Sequence, residues 1–187
     1  MNKKILTSLV TLGLLSQLSA SEMTHEKHSD FYIVAKTLTI AGDKVDHGHG
    51  ITLDGDRGYG VGLDFGYRLG NGFSIEYDFS YAKNSLSEDD GHGHIEEADA
   101  IYYTNALDIV YTYHITHTFG VFAKLGYSYE KEEIDDLHIE SEENGAVVAG
   151  GIEYSLNNHY TLLAEYEHAD IEGPRGDSVF LGVMYNF

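Results

Sequence analysis

The chain has 187 residues and a formal net charge of −20, with 11 basic and 31 acidic side chains. Such an acidic chain should repel nucleic acid and anionic lipid head groups, and we expect no nucleic acid as a partner. The lack of cysteine excludes disulfides, thiolate metal sites and cysteine nucleophiles.

The first 20 residues have the pattern of a secretory signal peptide. Lys3 and Lys4 provide its positive start, an apolar run covers residues 5–15, and Leu18-Ser19-Ala20 is a small-residue cleavage site. The apolar run is shorter than the roughly 20 residues of a membrane-spanning helix. We therefore expect cleavage near Ala20 rather than a retained anchor, which removes both lysines and leaves a mature charge of −22. Residues 21–29 then form a short polar lead-in to a single domain, residues 30–187.

Alternating apolar and polar residues predict eight β-strands in this domain, because successive side chains of a strand point to opposite faces. The first strand covers residues 30–40, and we take its face of Tyr32, Val34, Leu38 and Ile40 as the outward one. The other seven strands are predicted at residues 57–69, 73–81, 100–114, 119–130, 145–155, 160–167 and 177–187.

The predicted connections alternate in length along the chain. Residues 70–72, 115–118 and 156–159 are short turns, whereas residues 41–56, 84–99, 131–144 and 170–177 are longer and polar. This alternation predicts an all-β, antiparallel up-and-down barrel with its short turns at one end and its long loops at the other.

The distribution of aromatic residues indicates which face of the barrel points outward. The apolar faces carry aromatic residues towards both strand ends, as with Tyr59 and Tyr67 or Phe73 and Tyr81. Two such girdles are typical of a lipid-facing surface. The opposite faces carry charges that would be too costly in the packed core of a soluble barrel. A transmembrane barrel is therefore favoured over a lipocalin-like one.

The last predicted strand also indicates a membrane barrel. Val179, Leu181, Val183, Tyr185 and Phe187 share one face, and the chain stops on the aromatic Phe187. In this the chain resembles the small outer-membrane β-barrels of Gram-negative bacteria, typified by the OmpA transmembrane domain, OmpX and the opacity-type proteins. The resemblance implies insertion into the bacterial outer membrane as a monomer, short periplasmic turns, extracellular loops beside lipopolysaccharide, and recognition of Phe187 by the barrel-assembly machinery.

Histidines next to carboxylates occur in every predicted long loop. The candidate metal ligands are Asp46, His47, His49, Asp90, His92, His94, His138 and His168. Imidazole with carboxylate suits Zn²⁺, Ni²⁺ or Cu²⁺, while the carboxylates alone suit Ca²⁺. The alternative is that these loops are simply a soluble acidic surface.

The charged faces predict an ion network in the lumen. Its expected members are Lys36, Asp64, Arg68, Glu76, Asp78, Asp108, Lys124, Glu153 and Glu165. The interior of an eight-stranded barrel is only wide enough for side chains to fill it, so we expect these ions to hold the barrel shut.

Three functions remain open from the sequence. The first is a non-enzymatic surface protein that requires no cofactor and whose loops bind divalent cations or extracellular partners. The alternative is a narrow, cation-preferring channel. The third is a lipid A-modifying enzyme, for which His168 and Tyr166 share a face near the rim and Ser178 lies close in sequence; no serine–histidine–acid set stands out.

Overall fold

The computed structural model describes residues 29–48, 51–89, 95–134, 139–171 and 173–187. The proposed signal peptide and almost all of the lead-in lie outside these residues. The strands are β1 (Phe31–Ile40), β2 (Lys44–Gly48), β3 (Ile51–Gly55), β4 (Gly58–Gly70), β5 (Phe73–Asp89), β6 (Ile95–His114), β7 (Phe119–Ile134), β8 (Ile139–Ser155), β9 (Tyr160–Ala169) and β10 (Ser178–Asn186). Within the described chain, no helix has the length and apolarity needed to cross a membrane.

Eight long strands form a closed antiparallel barrel. Each of β1, β4, β5, β6, β7, β8, β9 and β10 pairs with the next, and β10 returns to β1 with Tyr32 opposite Asn186 and Ile40 opposite Ser178. The fold class predicted from the sequence is confirmed. Closure leaves the long strands without a free edge, which is how such a sheet satisfies its backbone polar groups in lipid.

The long polar connections are more ordered than the sequence predicted. Residues 84–89 and 95–99 continue the ladder between β5 and β6, and residues 131–134 and 139–144 continue that between β7 and β8. The first connection contains the β2–β3 hairpin, whose β3 pairs with the extension of β5. Their assignment as loops was wrong because the regular apolar alternation stops in these residues, while backbone pairing goes on.

The outward face is apolar on seven of the eight barrel strands, as expected. Leu107, Ile109, Leu125 and Leu181 are among the exposed residues. The prediction for the first strand was wrong, because Tyr32, Val34, Leu38 and Ile40 are buried inside the barrel together with Lys36. Lys36 lies on the same face of the strand as these apolar residues, because alternate residues point to the same side. Since Lys36 points into the lumen, the whole face does.

Tight turns fix the short-turn end of the barrel. Gly70, Asn71 and Gly72 between β4 and β5 all have positive φ, at 90°, 55° and 85°, a conformation that glycine and asparagine tolerate. In the next turn the Thr116 hydroxyl accepts hydrogen bonds from the Thr118 and Phe119 amides, at 3.2 and 3.0 Å.

The interior is layered along the barrel axis. An apolar cluster at the long-connection end includes Ile40, Tyr102 and Phe180, and a second at the short-turn end includes Val34 and Phe122. Along β1 the charged Lys36 lies between the two. The lumen is therefore filled by side chains, with an ionic layer between two apolar ones.

Candidate functional site

The ionic layer is centred on two buried lysines. Lys36 Nζ lies 2.8 Å from Asp64 Oδ2, 3.4 Å from Asp78 Oδ2 and 3.8 Å from Glu165 Oε1. Lys124 contacts Glu76 and lies 2.9 Å from Glu165 Oε2 and 3.3 Å from Asp78 Oδ2. These groups come from β1, β4, β5, β7 and β9, so the network ties together strands from around the barrel.

Carboxylates outnumber ammonium groups in this layer. Asp64, Glu76, Asp78, Asp108 and Glu165 are all at least nine-tenths buried. Asp64, Glu76 and Asp78 lie close enough together for one oxygen of each to share a metal ion. The Lys124 ammonium already contacts all three, so it occupies the position that such a cation would need.

Two residues expected in this network lie apart from it. Arg68 contacts Asn186 and Met184 and stacks on the Tyr32 ring at 4.6 Å from its centroid. Glu153 lies 3.4 Å from His114 Nε2. Both line a cavity of about 310 Å³ at the short-turn end.

A buried arginine that the sequence did not single out closes the long-connection end. The Arg175 guanidinium contacts Glu130, lies 3.3 Å from Glu167 Oε1, and donates to the hydroxyls of Thr104 and Ser178 at 3.1 and 2.9 Å. Its side chain thereby reaches into the lumen, where its contacts lie on β6, β7, β9 and β10.

The backbone around Arg175 is held over the mouth of the barrel. The amides of Gly42 and Asp43 donate to the carbonyls of Arg175 and Pro174, both at 2.9 Å, and Ala41 donates to Asp177 at 2.8 Å. Residues 173–177 therefore form a lid, which sequence reasoning had placed in a solvated loop. The signal in the sequence was a single basic residue in a connection that also carries Asp170, Glu172 and Asp177.

The structure describes only some of the proposed metal ligands. His49, Asp90, His92, His94 and His138 lie outside the described residues, and of His47 only the backbone, in β2, is described. Asp46 is exposed on β2, and the structure pairs it across the hairpin with Thr52. The described ligands are not brought together: His168 lies at the end of β9, where it pairs with an aspartate.

His168 and its partner form an exposed acid–base pair on the outer surface. His168 Nδ1 lies 2.6 Å from Asp177 Oδ1, and the Tyr166 hydroxyl donates to Asp177. The hydrogen bond to Asp177 raises the pKa of His168. Ser178 points the other way, into the lumen, where Arg175 binds it. It therefore cannot serve His168 as a nucleophile.

Exposed carboxylates are concentrated at the long-connection end. We call this set the acidic crown: Asp43, Asp46, Asp54, Asp56, Glu97, Asp99, Glu140, Glu142, Glu143 and Asp170. The basic side chains of the same end in the described chain are Lys44, Arg57, Lys83, Lys131 and the buried Arg175. Lys44, Lys83 and Lys131 each pair with an acid, at Asp54, Asp99 and Glu140 respectively. The crown therefore keeps an excess of negative charge.

Solved structures with the same fold are small outer-membrane proteins. The outer membrane protein OprG of Pseudomonas aeruginosa has a TM-score of 0.68 at 16% identity, over 86% of this chain and 97% of OprG. Ail of Yersinia pestis, solved with the heparin analogue sucrose octasulfate, has a TM-score of 0.59 at 15% identity, over 85% and 99% of the two chains. Neisserial surface protein A has a TM-score of 0.59 at 17% identity, over 87% and 100%.

Sequence comparison gives the family directly. No curated protein matches the chain, but the model of the outer membrane protein beta-barrel domain matches residues 10–187. The match covers every strand of the closed barrel, including the strand that ends at Asn186. The chain therefore belongs to the outer membrane protein beta-barrel domain family, and it is a bacterial outer-membrane protein.

Proposed function

We propose that this protein is a non-enzymatic surface barrel whose acidic crown binds divalent cations at the extracellular end. The observation that carries the proposal is the concentration of exposed carboxylates at that end, with few basic side chains between them. Carboxylate oxygens are the ligands that Ca²⁺ and Mg²⁺ prefer, and a surface of one sign raises the local concentration of counter-ions.

The pairing of β7 and β8 supports a cation role for part of the crown. Glu133 is directly opposite Glu140, and Lys131 is opposite Glu142. Like charges directly opposite each other are destabilising, and here Lys131 contacts both Glu133 and Glu140. Glu142 and Glu143 are also exposed on β8, and they have only this one lysine beside them on β7. A divalent cation would relieve the remaining repulsion.

The histidines of the long loops extend the same proposal to transition metals. His47 belongs to β2, His49 to the link from β2 to β3, and His92 and His94 to the link from β5 to β6, and the strands beside these links carry crown residues. Imidazole beside carboxylate would shift the preference of the crown from Ca²⁺ towards Zn²⁺, Ni²⁺ or Cu²⁺.

The negative charge of the crown also affects which extracellular partners the protein could bind. Ail was solved with sucrose octasulfate, a polyanion, but an acidic crown repels such a ligand. Anionic lipopolysaccharide would be a neighbour of this chain only through bridging cations. We further propose a monomer that the barrel-assembly machinery recognises through Phe187.

The competing function is a narrow cation-preferring channel. The excess of lumen carboxylates favours it, since a hydrated pore with these walls would select cations. The tight filling of the described interior argues against it, because the cavities that border the ionic layer measure only about 10 and 20 Å³ and the Arg175 lid covers the other end.

Calorimetric titration of the refolded barrel with Ca²⁺, Zn²⁺, Ni²⁺ and Cu²⁺ tests the proposal. One variant carries Glu140→Gln, Glu142→Gln and Glu143→Gln, a second carries alanine at His47, His49, His92 and His94, and the control is Asp30→Asn at the opposite end. We expect weak Ca²⁺ binding, with Kd on the order of 0.1–1 mM, that the glutamine variant weakens and the control keeps. Transition-metal binding should fall in the alanine variant. Equal binding by all four proteins would overturn a crown site.

A further inference from the structure

Among the lysines and arginines of the described lumen, only Arg68 has contacts that are all to neutral groups. Lys36, Lys124 and Arg175 each contact a carboxylate. Arg68 is half-buried and donates from Nη2 to Asn186 Oδ1, and its Nε and Nη1 donors have no partner in the described part of the chain. A buried charge is normally paired, and this chain has 31 acidic side chains to 11 basic ones. The charge of Arg68 therefore favours an anion from outside the described barrel.

The position of Arg68 is fixed by Tyr32. The guanidinium stacks on the Tyr32 ring at 4.6 Å from its centroid, and the Tyr32 hydroxyl donates to Glu76 of the ion network. On the neighbouring β4, Gly66 leaves room for this ring, since a Cβ there would clash with it. Stacking uses the face of the planar guanidinium and leaves the N–H donors of its edge available. The group is therefore oriented before any ligand arrives.

Arg68 opens onto a cavity of a size that suits a small molecule. The cavity measures about 310 Å³, at the lower end of the roughly 300–1,000 Å³ of ligand pockets. Its lining includes neutral side chains that form hydrogen bonds, namely Ser74, Thr112, Ser155, Asn157 and Asn158. Glu153 is the only carboxylate among the described lining residues, and it pairs with His114 rather than with Arg68. The cavity therefore offers an anion one unpaired cation and several neutral donors.

We propose that this cavity at the periplasmic mouth binds a small anion with a carboxylate or phosphate group, anchored by Arg68. The fork of N–H donors on a guanidinium matches the oxygens of both groups, often with two parallel hydrogen bonds. The site is independent of the acidic crown, since it lies at the opposite end of the barrel and takes ligands of the opposite charge.

The test measures anion binding to the refolded barrel in a buffer freed of divalent cations, so that the crown cannot hold an anion through a bridging metal ion. The probes are inorganic phosphate, the peptide acetyl-alanyl-alanine with a free carboxylate, and the amide of the same peptide. Arg68→Gln removes the charge, and Arg68→Lys keeps the charge without the planar fork. The control is Arg57→Gln, which removes the same charge from an exposed position at the crown end. Calorimetry gives the affinities, and the amide resonances of Gly72 and Asn158, two residues of the cavity lining, locate the ligand.

We expect phosphate or the free peptide to bind with a Kd on the order of 1 mM and to shift the resonances of Gly72 and Asn158. Arg68→Gln should weaken this binding at least about tenfold, Arg68→Lys should weaken it less, and Arg57→Gln should leave it unchanged. Binding of phosphate alone identifies a phosphate-bearing ligand, and binding of the free peptide but not of its amide identifies a peptide carboxylate. If neither anion binds, or if Arg68→Gln and Arg57→Gln lose binding equally, the site does not exist.

Discussion

Lys124 illustrates how single residues hold this barrel closed. Its ammonium is buried and contacts carboxylates from three strands, at Asp64, Glu76, Asp78 and Glu165. Removing one partner of a buried ion pair leaves the other charges uncompensated, which costs more than the pair itself is worth. Side chains on the outer surface carry no such penalty, because water or lipid head groups screen them.

Replacing this lysine should therefore destabilise the barrel strongly. We expect Lys124→Met to lower the free energy of unfolding by about 3–5 kcal/mol. The matched control is Lys44→Met, because the Lys44–Asp54 pair is more than half exposed and such pairs contribute about 1 kcal/mol or less. Urea unfolding in lipid vesicles gives both values. A similar small loss in the two variants would contradict an ionic core.

The His168–Asp177 pair makes a prediction about pH. The hydrogen bond to Asp177 raises the pKa of His168, and hydrogen bonds from Tyr166 and His168 lower the pKa of Asp177. A raised histidine pKa contributes stability that is lost as the pH rises through it, and a lowered aspartate pKa contributes stability that is lost as the pH falls through it. The contribution of the pair is therefore complete between about pH 4 and 6.5, the ordinary pKa values of the two groups.

Titration of the imidazole by nuclear magnetic resonance measures this directly. The His168 pKa should lie above its ordinary value in the native protein and return to that value in Asp177→Asn. An unchanged His168 pKa in Asp177→Asn would mean that the pair does not form.

At the scale of elements, the lid of residues 173–177 should depend on Arg175. Arg175→Ala removes the buried contacts to Glu130, Glu167 and Ser178 that hold this segment in the mouth. The amides of Gly42 and Asp43, which donate to the lid, should then exchange with solvent at least tenfold faster. The Ile33 amide, in the membrane-embedded part of β1, should keep its rate. Equal exchange at Gly42 and Asp43 in both proteins would show that another contact holds the lid.

The elements differ in how far the sequence predicted them. Strands such as β4 were found because a lipid-facing strand must alternate, and glycine with asparagine marked the turn at residues 70–72. The extensions of β5 to β8 were missed because most of their residues are polar, although Leu86, Ala98 and Ile134 still point into the apolar cluster of the lumen. The inward apolar face of β1 was misassigned because apolar side chains fill the lumen as well as face the lipid.

The ion network shows the same limit at the candidate site. Parity along a strand indicated that Asp64 and Lys124 face inward, and its charge indicated the same for Lys36. Neither could show which charges meet, since contacts across a barrel depend on strand tilt and register. Arg68 and Glu153 have the inward parity and still lie apart from the central lysines. Arg175 was missed because it follows a proline in a connection, where no periodicity exists to read.

At the scale of the whole molecule, charge is arranged in levels along the barrel axis. The acidic crown lies at the extracellular end, the buried ion network at mid-height, and the histidine-lined cavity at the periplasmic end. An apolar cluster lies on each side of the buried ionic layer, together with buried polar side chains such as Thr104 and Thr161. On our proposal, cation binding belongs to the acidic crown, and the buried ion network has a structural role.

Single-channel conductance in planar lipid bilayers tests this central claim most directly. The native barrel, inserted in 1 M KCl, should show no discrete current steps, because side chains fill its lumen. Lys124→Met, which leaves the lumen acids uncompensated and free to hydrate, should be the variant in which cation-selective steps appear. Reproducible cation-selective steps from the native protein would contradict a sealed lumen and establish the channel in its place.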